Sequence, residues 1–255
     1  MKTVYLQLRE DARKIVAGLP EPKFYKVFPD EVAAAKKMLA SDPILLRVAK
    51  EITPLIEDDF GHGMLHSILV SQDAGALVQV EMNRHHGGTA PGEEIKRNML
   101  LAQTAALLHD IKRKEKKHAE KGAVFAESFL KKEKYPFSLD EISLISAAIR
   151  EHEAFKQKSN SIKDCKASLI SDSLYDADKF RWGLDNFTHT VWDMVIFLKT
   201  PLNEFIKRYP GGMKKISQIK DTFRTNTGKI YGPDFISLGL ATGERLFQII
   251  EKKYI

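Results

Sequence analysis

Apolar residues recur at three- and four-residue intervals through most of this chain, and no stretch alternates at period two for long enough to read as a strand. Residues 64–82 show the pattern well: Leu65, Ile68, Leu69, Leu77 and Val80 fall at helical spacing, with Ala74 and Ala76 between them. An amphipathic helix must bury its apolar stripe against another element. With no sheet to serve, that element is another helix, so the expected fold is all-α.

The other predicted helices follow from stop and start signals. One spans residues 30–40 behind Pro29-Asp30, and others span 94–111 and 117–132, the last with Ala123, Val124, Ala126, Phe129 and Leu130 inward. Ser138 and Glu141 form the S-x-x-E pattern of a capping box, opening a helix through about residue 153. Residues 167–180 and 192–198 continue the series. Pro201 is a breaker, followed by a helix to Tyr209, and Pro210-Gly211-Gly212 is an expected turn. NRHHGGTAPG (83–92) and TNTGKIYGPD (225–234) are expected loops, and residues 235–254 a closing helix. Neither repeats nor low-complexity tracts interrupt this order. The organisation predicted is an N-terminal helical extension (1–57), a core (58–183) and a C-terminal helical extension (184–255).

Cys165 is the sole cysteine, which excludes an intrachain disulfide and any multi-cysteine zinc site. The first eighteen residues carry charges in every turn, unlike a signal peptide, and no uncharged run could span a bilayer. The expectation is a cytoplasmic protein without a membrane partner. A net charge of +6 favours anionic partners such as phosphorylated metabolites, with nucleic acid a less favoured class. The densest basic run, 112–117, has no interleaved aromatic residues and reads as an exposed loop.

Of eight histidines, His85 and His86 lie in the glycine-rich loop and His189 in an aromatic segment. His62, His66, His109, His118 and His152 lie at or near helices. His66, the pair His109-Asp110, His118, His152 and Asp178 each fall where a helix begins, ends or turns its apolar face. A bundle that brings such ends together builds an inward polar cluster. Imidazoles and carboxylates without sulfur suit manganese, iron, cobalt, nickel or magnesium, and can hold catalytic zinc. Adjacent helical residues point about 100° apart, so His109 and Asp110 can both reach an ion lying between them.

The stretches HSILV (66–70), AALLHDIKR (105–113) and DADKF (176–180), in that order, resemble the HD-domain superfamily of metal-dependent phosphohydrolases. The resemblance covers residues 58–183 and implies an all-helical bundle in which His66, His109, Asp110 and Asp178 bind a divalent metal. HAEKGAVFA, starting at His118, and AAIREHE, containing His152, resemble the segments of members with two metals. By that resemblance Asp110 would bridge two ions, with His118 and His152 on the second. The chain departs from the HD-GYP branch, having Glu151-His152 where that branch has paired histidines, and no Gly-Tyr-Pro nearby. His62 lies four residues before His66, on the same helical face. His66 fits the motif better, which leaves His62 to a substrate or a supporting role. Asp178 fits better than Asp176, which is then expected to be a surface or supporting carboxylate.

The implied activity is hydrolysis of a small phosphoester, a nucleotide being one candidate, with Asp110, Lys179 and His62 as the groups nearest the chemistry. Lys112 and Arg113 are further cation candidates and Arg150 a weaker one. The segment 224–229, ending at Lys229, is expected to reach over the pocket. Two other classes stand beside it: a di-iron oxygenase of the same fold with similar ligands, and a non-catalytic regulatory or nucleic-acid-binding module that keeps the fold, against which the intact ligand set speaks.

Overall fold

The computed structural model describes residues 2–56, 61–85, 87, 91–156 and 165–255. Among these residues there are twelve α-helices and no strand. In chain order they are α1 (Lys2–Ala17), α2 (Lys23–Val27), α3 (Pro29–Ser41), α4 (Pro43–Ile52), α5 (Met64–His85), α6 (Gly92–Leu108), α7 (His118–Lys132), α8 (Leu139–Arg150), α9 (Cys165–Phe180), α10 (Val191–Phe197), α11 (Leu202–Gln218) and α12 (Asn226–Tyr254). A π-helical turn, Asn186–Thr190, leads into α10.

Helices α5 to α9 pack on one another as a bundle, with α3 against α5 and α4 against α6. The centre is α6, where every residue from Asn98 to Leu108 is buried. A helix surrounded on all sides keeps no polar face, so its buried Gln103 needs an internal partner. It donates through Nε2 to the Ala35 carbonyl at 2.9 Å. Helix α8 opens on the expected capping box, with Glu141 N donating to Ser138 Oγ and Ser138 N to Glu141 Oε2.

The two ends of the chain pack together. Tyr5 of α1 sets its ring against Trp192 and Phe205 and donates to the Thr200 carbonyl at 2.8 Å. Arg9 pairs with Asp193 at 3.0 Å, and Lys253 with Asp11 at 2.9 Å.

Several expectations differ from the structure, those at 210–212 and 225–234 for tertiary reasons. Pro210-Gly211-Gly212 is no turn, because α11 runs through it. Phe205, Tyr209 and Ile216 share the buried face of α11, and Tyr209 stacks on Phe247 and donates to the Gly243 carbonyl at 2.8 Å. That packing outweighs the hydrogen bond lost at proline. Residues 226–234 are likewise helical. Thr225 is an N-cap whose Oγ1 accepts from Gly228 N at 2.8 Å, so TNTG begins α12. Gly228 is there for close approach, since a Cβ would overlap the Asp176 carboxylate. Helix α5 continues to His85, into the expected loop 83–92, whose His86 lies outside the described residues. Leu65 and Val124 are exposed, and the inward face of α7 is Ala119, Ala123, Ala126 and Leu130.

Candidate metal centre

His66 comes from the first turn of α5, His109 caps α6, Asp110 follows it, His118 opens α7, His152 lies just beyond α8, and Asp178 lies near the end of α9. His62 precedes α5 on backbone held close by Gly61, which has φ +72° and would place a Cβ 2.7 Å from the Thr190 carbonyl. Only glycine fits there without strain.

The fold brings these side chains together. His66 Nε2 lies 3.3 Å from His109 Nε2 and 3.3 Å from Asp178 Oδ1. Asp110 Oδ2 lies 3.4 Å from His109 Nε2, 3.8 Å from His66 Nε2 and 3.0 Å from His62 Nδ1, the last off the line of a hydrogen bond. Asp110 Oδ1 faces the other way, 3.4 Å from His152 Nε2 and 3.6 Å from His118 Nε2. Three sets of ligand atoms are compact enough to hold an ion: His62, His66 and Asp110; His66, His109 and Asp178; and His109, Asp110 and His152. His118 belongs to none of them. Arg113, which can only donate, directs Nη1 at His118 Nε2 (3.0 Å) and Nη2 at His62 Nε2 (3.4 Å).

Two contacts fix the character of the cluster. His109 Nδ1 lies 2.7 Å from the Ala106 carbonyl, and His152 Nδ1 lies 2.7 Å from the Ile149 carbonyl. A carbonyl only accepts, so both Nδ1 atoms carry hydrogen. In the neutral rings both Nε2 atoms then present lone pairs. Those lone pairs point at Asp110 oxygens, and Asp110 Oδ1, fully buried, accepts no hydrogen bond. Acceptors converging on acceptors in a dry interior repel one another unless a cation lies among them. The donor set therefore fits a divalent ion.

The protonation pattern agrees. Burial pushes His66 and His118 down to about 4, so both are neutral at neutral pH. Burial also opposes charge on His109, but the Asp110 carboxylate outweighs it and holds His109 above its ordinary value. Burial alone would raise Asp110, and the neighbouring His109 charge holds it well below the carboxylate range. Asp178 is held low against burial chiefly by Lys179. Held above its ordinary value, His109 takes up a proton more readily than a free imidazole, so metal and proton compete for this ring.

The cations separate clearly. Lys179 is buried, hydrogen-bonded to the Asp178 carboxylate and, at 2.9 Å, to the His152 carbonyl. Arg113 borders the cluster. Lys112 instead points to Glu115 (3.4 Å) and the Phe125 ring, and Arg150 is exposed. Lys229 is exposed on α12, and segment 224–229 does not reach the cluster's cavity.

Asp176 is no surface group. It is fully buried and accepts from Arg224 N, Thr225 N and Thr225 Oγ1 at 2.7–2.8 Å, closing the start of α12. Glu153 was missed by sequence reasoning, although it adjoins His152. Its Oε1 lies 3.7 Å from His118 Nδ1.

The cluster sits at one end of a cavity of about 510 Å³. Much of the cavity's remaining wall comes from the C-terminal helices, including Met194 and Val195 of α10, Leu198 at its end, and Phe205 and Ile216 of α11. No motif signalled this wall, because its residues read as ordinary core.

Fold and centre together define an all-helical protein with a buried histidine–aspartate cluster suited to metal. Comparison of the chain with family profiles, with curated proteins and with solved structures gives no match. Among the described residues no helix is long and apolar enough to cross a membrane.

Proposed function

We propose that the chain is a metal-dependent phosphohydrolase of the HD type, acting in the cytoplasm on a small phosphoester. The observation that carries this reading is the two-sided Asp110 carboxylate, with His66 and His109 at one oxygen and His152 at the other. His66, His109, Asp110 and Asp178 would hold a first ion, and Asp110 with His152 and His118 a second. Bound there, a divalent metal supplies a water of lowered pKa and polarises a phosphoryl oxygen.

The chain's own groups do the rest. His109 and His152 are locked in one tautomer by carbonyls, so their Nε2 atoms need no reorientation on loading. Lys179 acts as a positioning residue, tying Asp178 to the backbone behind His152. Arg113 is the cation free to turn from its imidazoles toward phosphoryl oxygens, where bidentate recognition favours arginine. His62 lies beside Asp110 on the cavity side, placed to orient the substrate.

Elemental analysis of the purified protein, joined to phosphate release from a phosphoester panel under manganese, iron, cobalt, nickel, magnesium and zinc, tests the reading. His109→Ala and Asp110→Ala should both lose metal and activity. Full retention of both would refute it. A di-iron oxygenase is the second reading, favoured by the largely apolar cavity wall. Oxygen consumption without phosphate release would select it.

A further inference from the structure

The histidine–aspartate cluster occupies only one end of its cavity, and the other end differs in character. Met194 and Val195 of α10, Leu198 just after it, and Phe205 and Ile216 of α11 line the space, joined by Trp182 beyond the end of α9. Fewer polar groups line this side: Asn186, Thr190, Thr200 and Tyr209, with Arg181, whose guanidinium is taken up by Asp73 and Asp185. Tyr209 donates its hydroxyl to the Gly243 carbonyl, and Thr190 Oγ1 lies 3.4 Å from the Gly61 carbonyl. Arg208 and Lys215, also bordering the cavity, are exposed on α11.

A site that reads a nucleobase or a sugar places fixed donors and acceptors against it, because an unpaired polar edge is costly to desolvate. A wall dominated by apolar side chains, aliphatic and aromatic, offers burial instead. We infer that this wall is a subsite for an apolar organic group, so that the substrate is a phosphoester carrying an alkyl or aryl moiety, its phosphoryl end at the cluster and Arg113 and its apolar end against α10 and α11. A cavity of about 510 Å³ lies within the roughly 300–1,000 Å³ of sites for small organic ligands. The inference rests on the phosphohydrolase reading for the head group and on the cavity wall for the tail.

The test uses n-alkylphosphonates, whose C–P bond resists hydrolysis, titrated calorimetrically into the manganese-loaded full chain. Affinity should rise from ethyl to hexyl by on the order of a hundredfold, since each buried methylene is worth about fourfold. Met194→Gln, at a half-buried position, and Leu198→Gln, at an exposed one, should each flatten that rise while leaving methylphosphonate affinity unchanged. Equal affinity along the series, or an unchanged rise in both variants, overturns the subsite. Phosphate release from alkyl phosphates separates the two readings. Chain-length-dependent binding with no phosphate released keeps the subsite and sinks the phosphohydrolase. Release from short and long esters alike, with flat binding, does the reverse.

Discussion

Asp176 and Asp178 lie two residues apart on α9, both buried, and the fold treats them in opposite ways. Two positions on a helix are about 200° apart, so one carboxylate faces α12 and the other the histidines. Asp178 meets Lys179 and His66 and is held ionised. Asp176 meets two backbone amides and a hydroxyl, yet burial outweighs these three donors and pushes it up to about 7. One carboxylate belongs to a cluster that could hold an ion, and the other closes the start of a helix. Sequence context alone does not divide such labour, because the partners that decide it arrive from elsewhere in the chain.

Breaking each side should have distinct consequences. Asp178→Asn keeps an acceptor for Lys179 but removes the charge. Bound metal measured by elemental analysis should weaken by about a hundredfold or more, beyond what loss of a supporting partner does, and the metal-free protein should also unfold at lower urea, because buried Lys179 keeps its charge without a counter-ion. Asp176→Ala should separate the two effects. Three donors at the α12 start lose their acceptor, so stability should fall by roughly 2–3 kcal/mol in urea unfolding, with metal content preserved.

The pH response sharpens the contrast. A carboxyl raised in the folded state makes the folded chain bind the extra proton between pH 3.8 and about 7. Its contribution is fully present below that window and is lost as pH rises through it. Asp176→Asn cannot titrate, so wild type should lose stability relative to this variant between pH 4 and 8, seen as a converging or crossing pair of unfolding midpoints. A constant difference would show that Asp176 is ionised throughout. The smallest expected effect belongs to Thr225→Ala, which removes the cap of α12 but leaves both backbone amides on Asp176. About 1 kcal/mol of stability should be lost, with no change in bound metal.

The parts of the fold that could be read in advance were those set locally. Ser138 and Glu141 make their capping box within four residues, and the apolar run before His109 marks a helix end without help from other segments. The positions misread were decided at a distance. Pro210 is carried inside α11 by Tyr209 packing on α12. TNTGKIYG has a loop's composition because α12 passes close to α9, where Gly228 abuts Asp176. At the site, the histidines and aspartates could be proposed from their order. That Arg113 turns to them and Lys112 away depends on the path of the 109–117 turns, which composition does not determine. The apolar wall was invisible for the same reason, since a methionine lining a cavity and one filling a core look alike in a sequence.

His109 and His152 each reach back three residues to a carbonyl in the last turn of the preceding helix. The device is short-range and portable. Any helix that stops with a histidine at this offset sets that ring's hydrogen before distant segments arrive. Metal affinity built this way tolerates drift in the surrounding sequence, because the orienting partner is a peptide group that no side-chain substitution removes.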